Sequence, residues 1–270
     1  MIEDLLQNTV FDTKILMDSD CYFYFGKNSL KLGVTNDNLT LNNVYNIVTA
    51  SNDNSAIIFP IETNDLIACK SIHLGVSLDR FVIVPSQYFD PQVCIEYLQQ
   101  VFEVDRTIKP ISKHIKSMDA FLVYQLEPLI SNCLLSFSKN QAVISEIELF
   151  VNYISKQTEH PDFYINFDDR SFVIFLVKDS KICHIQRFNF EEASDAVYFI
   201  LGVLKQFNID PVTAKAIVSG LIMPLSGLFN QLFQFIGEIE WFDGANTNIK
   251  FQADAKISRH TIAELLCLSI

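Results

Sequence analysis

The sequence predicts an α/β protein built from two similar halves, and three observations carry that reading. Each half opens with three short aromatic or alternating segments divided by polar turns, the mark of a meander. Each meander is followed by alternating helical and strand segments, which implies parallel pairing. Between the halves, Thr158-Glu159-His160-Pro161 breaks a helix. The expected divisions are 1–158, with a hairpin and helix inserted near 62–105, and 159–270.

In the first half, strands are expected at 21–25 (Cys-Tyr-Phe-Tyr-Phe), 29–35 and 39–48, with turns at Gly26-Lys27-Asn28 and Asn36-Asp37-Asn38. A short helix follows at 62–69. Residues 71–76 and 81–84 read as a hairpin turning at Leu78-Asp79-Arg80. Asp90-Pro91 starts a helix, with an N-cap side chain and a ring suited to the first helical position, and Val93, Cys94, Tyr97, Leu98 and Val101 give it an apolar stripe. Residues 103–116 read as a polar connector. Strand (120–124), helix (127–137), strand (141–144) and helix (146–156) complete this half.

The second half repeats the order. Strands at 163–167, 172–177 and 182–188 turn at Asp168-Asp169-Arg170 and Asp179-Ser180-Lys181. In the helix that follows, Glu191, Glu192 and Asp195 suit the positive end of the helix dipole, and Ala196, Val197, Ile200 and Leu204 form its buried side. A strand (216–219), a helix (224–236), a strand (238–242) and a helix (258–267) follow.

Composition narrows the function classes. A net charge of −12 argues against nucleic acid as a partner, because that affinity needs clustered Lys and Arg. No apolar run exceeds six residues, as at 172–177, far short of the ~20 a membrane helix requires. The acidic start Met1-Ile2-Glu3-Asp4 lacks a secretory pattern, so a cytoplasmic location is expected. Six cysteines without a C-x-x-C pair read as reduced and structural.

The doubled order resembles the actin-like ATPase superfamily, each half a ribonuclease-H-like mixed five-stranded sheet flanked by helices. The segments His73-Leu74-Gly75-Val76, Phe81-Val82-Ile83-Val84-Pro85 with Tyr88-Phe89-Asp90, and Asp195 to Leu201 are similar to an uncharacterised family of Bacteroidota bacteria, domain of unknown function 3822. The superfamily resemblance implies glycine-rich turns around nucleotide phosphates, where bare backbone N–H groups approach an anion. Carried onto this chain, the nucleotide positions are Gly26, Asn28, Asn166, Asp169 and Gly220. Asn166 stands where an acid is expected, Asp168, Asp169 and Arg170 where glycines are, and Tyr24 replaces the acid of the first half. These departures predict a non-catalytic binding or scaffold protein with an unidentified protein partner, no catalytic or metal residues and no required cofactor. A divergent protein binding ATP with Mg is the alternative.

A third reading, a carboxylate-metal nuclease, rests on Asp168, Asp169, Glu191, Glu192 and Asp195, though all five also suit turns and helix starts. The five histidines show no H-E-x-x-H spacing. Val218-Ser219-Gly220 lacks the first glycine of a nucleophile elbow. Lys27 and Arg170 lie in turns that, in the superfamily, would face one another across a cleft, where they are expected to obstruct phosphates.

Overall fold

Tyr22 and Tyr24 set the middle of the first sheet. They lie on β1 (Asp20–Phe25), which pairs antiparallel with β2 (Ser29–Thr35) and parallel with β4 (Ser71–Val76), so Tyr22 stands between Gly33 and His73 and Tyr24 between Lys31 and Gly75. The computed structural model describes residues 16, 19–27, 29–48, 69–134, 137, 142–251 and 257–270. β1 is buried on both faces, as its continuous aromatic run requires.

β3 (Thr40–Val48), β8 (Val143–Ser145) and β14 (Lys250–Phe251) complete a six-stranded sheet ordered β14-β3-β2-β1-β4-β8. One face carries Phe23, Phe25, Leu30, Leu32, Leu74 and Val76, all buried, with Phe137 edge-on to Phe23 and Phe25. On the other, Gly33 and Gly75 leave room for Leu265 and Leu268. A Cβ at those glycines would stand 3.3 Å from Leu265 and 3.1 Å from Leu268. Both leucines belong to the C-terminal segment, which holds helix α6 (Ala263–Cys267).

Inserted between β4 and β8 is a three-stranded antiparallel sheet, β5 (Phe81–Pro85), β6 (Ile111–Ile115) and β7 (Ala120–Tyr124), in the order β5-β7-β6. Helix α1 (Cys94–Gln99) covers one face by packing Cys94 and Leu98 on Val84 and Val123. Asp90 accepts from the Gln92 N–H at 2.8 Å, the expected cap just before Pro91. Helix α2 (Pro128–Leu134) leads out of this insertion, and α3 (Glu146–Ser155) follows β8.

The second sheet is ordered β11-β10-β9-β12-β13, from β9 (Phe163–Phe167), β10 (Ser171–Lys178), β11 (Lys181–Asn189), β12 (Lys215–Gly220) and β13 (Glu238–Trp241). Counted within each half, omitting β14 and the insertion, both sheets follow the order 3-2-1-4-5 with the same parallel and antiparallel sense at the central strand. The duplication read from the element order is therefore present in the pairing. Helices α4 (Ala193–Gln206) and α5 (Gly227–Phe235) bury Ala196, Ile200, Leu204 and Leu232 against Phe163, Ile165, Phe172, Ile174 and Val218. Among the described residues, no helix is long and apolar enough to cross a membrane.

The chain forms two compact units, 1–150 with 247–257 and 264–270, and 151–246 with 258–263. These differ from the expected division at residue 158, because the chain's last residues return to the first unit, where the bare faces of Gly33 and Gly75 receive them. The expected hairpin at 71–84 is not formed. β4 leaves β5 and pairs with β1, since Leu74 and Val76 fit the buried sheet face, and β5 and β7 pair with each other. The insertion therefore runs from β5 to β7. The polar connector at 103–116 contains β6, an exposed edge strand whose polar side chains hid its period. The helix expected at 62–69 lies outside the described residues.

Candidate functional site

In the second unit, the ends of β9 and β12 bring together two of the positions that the resemblance assigns to nucleotide, Asn166 and Gly220. Parallel pairing sets Ser219 beside Asn166 and Gly220 beside Phe167. The Ser219 hydroxyl is 2.9 Å from Asn166 Oδ1 and 3.2 Å from the Ile165 carbonyl, with both side chains buried. At the position where the resemblance led to the expectation of an acid, this chain thus has a neutral amide engaged across two strands.

Gly220 has φ +84°, and a Cβ on it would lie 1.9 Å from the Phe167 carbonyl oxygen and 2.8 Å from Asn166 Oδ1. Its backbone conformation and this close approach account for the glycine. Leu221 N–H then donates to the Phe167 carbonyl at 2.8 Å, locking the strand ends.

The β9–β10 turn closes on itself. Asp168 N–H donates to the Ser171 carbonyl at 2.7 Å, and Asp168 Oδ1 accepts from the Asp169 N–H at 2.9 Å. One backbone donor that could meet an anion is thereby taken up by the turn's own carboxylate, and Asp169 and Arg170 are exposed. An open groove of about 560 Å³ in this unit is lined by Thr158 to Asp162 and Val177 to Ser180, at the start of β9 and not at the end that carries Asn166.

In the first unit, Gly26 N–H donates to the Ser29 carbonyl at 2.8 Å across the β1–β2 turn. Asn28 lies outside the described residues. Lys27 pairs at 2.8 Å with Asp79 of its own unit. The carboxyl of Glu127 is held above the usual range by burial first and then by the charge of that same Asp79. The cation of this turn is therefore already paired within its own unit.

Sequence reading missed Glu146, the first residue of α3. Its carboxylate is buried and accepts from the Tyr24 hydroxyl at 3.1 Å, the Ser77 hydroxyl at 3.2 Å and the Leu78 N–H at 2.9 Å. Tyr24, which stands in place of the expected acid, so donates to an acid from another element. The available signal was a glutamate at a strand-to-helix junction in an apolar run.

Of the carboxylates in the nuclease reading, those of Asp168 and Asp195 serve local structure. Asp195 Oδ2 accepts the N–H groups of Glu191 at 3.1 Å and Glu192 at 3.0 Å, fixing the start of α4. Among the described residues, no three His, Cys, Asp or Glu side chains are grouped to hold a metal ion. His73 stacks on Tyr22 with ring centroids 4.5 Å apart, and His260 is buried 3.0 Å from the Ile222 carbonyl and against Trp241.

Comparison with known proteins agrees with this architecture. A Bacteroides thetaiotaomicron protein with actin-like ATPase fold and unknown function superposes with TM-score 0.68 at 12% identity, covering 87% of this chain and 95% of its own. The PilM–PilN type IV pilus biogenesis complex matches with TM-score 0.57 at 9% identity, covering 93% and 97%. The ethanolamine utilization protein EutJ from Carboxydothermus hydrogenoformans matches with TM-score 0.52 at 7% identity, covering 99% and 94%. These likenesses show an actin-like ATPase fold. No curated protein matches the chain in sequence. The family described as Protein of unknown function (DUF3822) matches residues 8–239, and the chain belongs to that family.

Proposed function

We propose that this chain is a cytoplasmic, non-catalytic binding or scaffold protein that uses an actin-like fold without nucleotide turnover. The observation that carries the reading is the β9–β10 turn, where Asp168 and Asp169 replace glycines and the Asp169 N–H is satisfied by Asp168. Like charges about 4 Å apart repel by ~1 kcal/mol even in bulk water and more strongly beside a protein, so two carboxylates oppose a polyphosphate. The engagement of Asn166 by Ser219 supports the same conclusion, as does the pairing of Lys27 with Asp79. The neighbour PilM belongs to a PilM–PilN complex, which gives the fold a precedent as one half of a protein pair.

Thermal unfolding with and without Mg-ATP tests the reading. A site that bound ATP would gain about 2.7 kcal/mol at ~100 times its dissociation constant. The expected result is no shift and no phosphate release. A rise in Tm that grows with Mg-ATP concentration would overturn the proposal in favour of a divergent ATP-binding protein.

A further inference from the structure

One stretch of the insertion carries a local charge opposite to that of the whole chain. Residues 106–116 contain Arg106, Lys109, Lys113 and Lys116 and no Asp or Glu, although the net charge is −12. All four basic residues are exposed. Among the described residues, only Arg106 of the four has a side-chain partner, Gln99 at 3.2 Å. The nearest acid in sequence, Asp105, turns back onto Thr107, accepting from its N–H at 2.8 Å and its hydroxyl at 2.7 Å. The next on the other side, Asp119, stands 4.0 Å from His114.

This stretch contains the open edge β6. Among the described residues β6 pairs with β7 alone, so alternate residues turn their N–H and C=O groups outward. The opposite edge, β5, ends in Pro85. An open groove of about 590 Å³ lies beside β6, bounded by the start of α1 and the chain entering β6, with Arg106, Lys109 and Ser112 in its wall. Ser112 shares the α1 face of the sheet with Val123, which α1 covers, while Lys113 belongs to the other face.

We infer that β6 is a docking edge for an extended acidic segment of a partner protein, which adds to the inserted sheet as a fourth strand. Main-chain hydrogen bonds to β6 hold the segment, and alternate side chains set its preference. Those on the α1 face enter the groove toward Arg106 and Lys109. Those on the opposite face pass Lys113. Lysine at an open edge opposes pairing with neutral or basic strands, including a second β6, and leaves an acidic strand favoured. This inference deepens the binding reading above by giving it a surface and a partner chemistry.

The test uses the full chain and a fluorescein-labelled peptide of about ten residues with alternating Glu and Val. Comparators are the same peptide with Lys for Glu, the same peptide with alternate backbone nitrogens methylated, and a flexible polyglutamate of equal charge. Fluorescence anisotropy is expected to show binding of the Glu-Val peptide that weakens with salt. Methylation and the Lys109→Glu/Lys113→Glu double variant should each weaken it about tenfold or more. Both lysines are exposed and, among the described residues, unpartnered, so the double variant is expected to keep its unfolding temperature. Absence of binding at roughly 1 mM peptide overturns the inference. So does equal binding of the polyglutamate or the methylated peptide, which indicates charge adsorption without strand addition, or unchanged binding by the double variant. Self-association that the double variant abolishes would assign the edge to a second copy and overturn it too. A nucleotide-dependent Tm shift bears on the earlier reading alone, so the two can fail separately.

Discussion

Lys31 Nζ lies 2.8 Å from Glu264 Oε2, and the two side chains are only 6% and 3% exposed. A buried ion pair of this kind is tolerated because each charge answers the other, and removing one partner takes that counter-charge from the second. Glu264→Ala is expected to cost about 3–5 kcal/mol in urea denaturation, and Lys31→Met a similar amount. The double variant Lys31→Met/Glu264→Leu should recover most of that loss. Additive losses would show that the pair does not act as a unit.

Glu146 is a carboxylate held by neutral donors. Tyr24→Phe removes one hydroxyl donor and is expected to destabilise by about 1–2 kcal/mol, whereas Glu146→Ala removes the shared acceptor of the Tyr24 and Ser77 hydroxyls and the Leu78 N–H and is expected to cost about 3 kcal/mol. Denaturation midpoints check the order. If Tyr24→Phe proves the more costly, the network is not centred on the carboxylate.

Two glycines of the second unit should respond in opposite directions to alanine. At Gly220 the added carbon would stand 1.9 Å from a backbone oxygen, at φ +84°, and a loss of about 3 kcal/mol or more is expected. At Gly202, an exposed position inside α4, an added carbon meets nothing within 4 Å. Gly202→Ala should therefore stabilise by about 1 kcal/mol through helix propensity and lowered unfolded-chain entropy. Thermal scans of both variants read the contrast directly.

Glu127 gives a pH dependence of defined sign. Burial and Asp79 raise its folded-state pKa, so the folded protein keeps this proton after the unfolded chain has released it. Its contribution is fully present below the ordinary glutamate value of about 4.3 and is lost as pH rises through the raised folded value. Glu127→Gln is expected to stabilise at neutral pH by no more than ~1 kcal/mol after solvent screening, and to have little effect at pH ~4. Stability measured across this range would refute the assignment if the variant's advantage grew toward acid.

What the sequence disclosed depended on whether a feature was local. The meander at 163–188 and the helix start at 191–195 were legible because their turns, alternation and acidic first turn lie within a few residues. Asn166 and Gly220 were legible as strand-end positions, but the hydrogen bond that joins Asn166 to Ser219 spans 53 residues and has no local pattern. Strand partners were less accessible. The short link Ser77 to Arg80 suits a hairpin, and only the buried slot beside β1 explains why β4 pairs elsewhere. β6 escaped because three of its five residues are exposed in succession. Glu146 escaped because its donors come from β1 and from the loop after β4.

The return of the last residues to the first unit also bears on the order in which the chain can fold as it is made. Lys31 is separated from Glu264 by 233 residues, and the faces bared by Gly33 and Gly75 wait for Leu265 and Leu268. At ~5–20 residues per second, roughly 10–50 s pass between synthesis of β2 and arrival of its ionic partner. Through that interval a lysine bound for the interior has no counter-charge from α6, and part of an apolar sheet face has no cover from it. The unit that begins first on the ribosome is completed last.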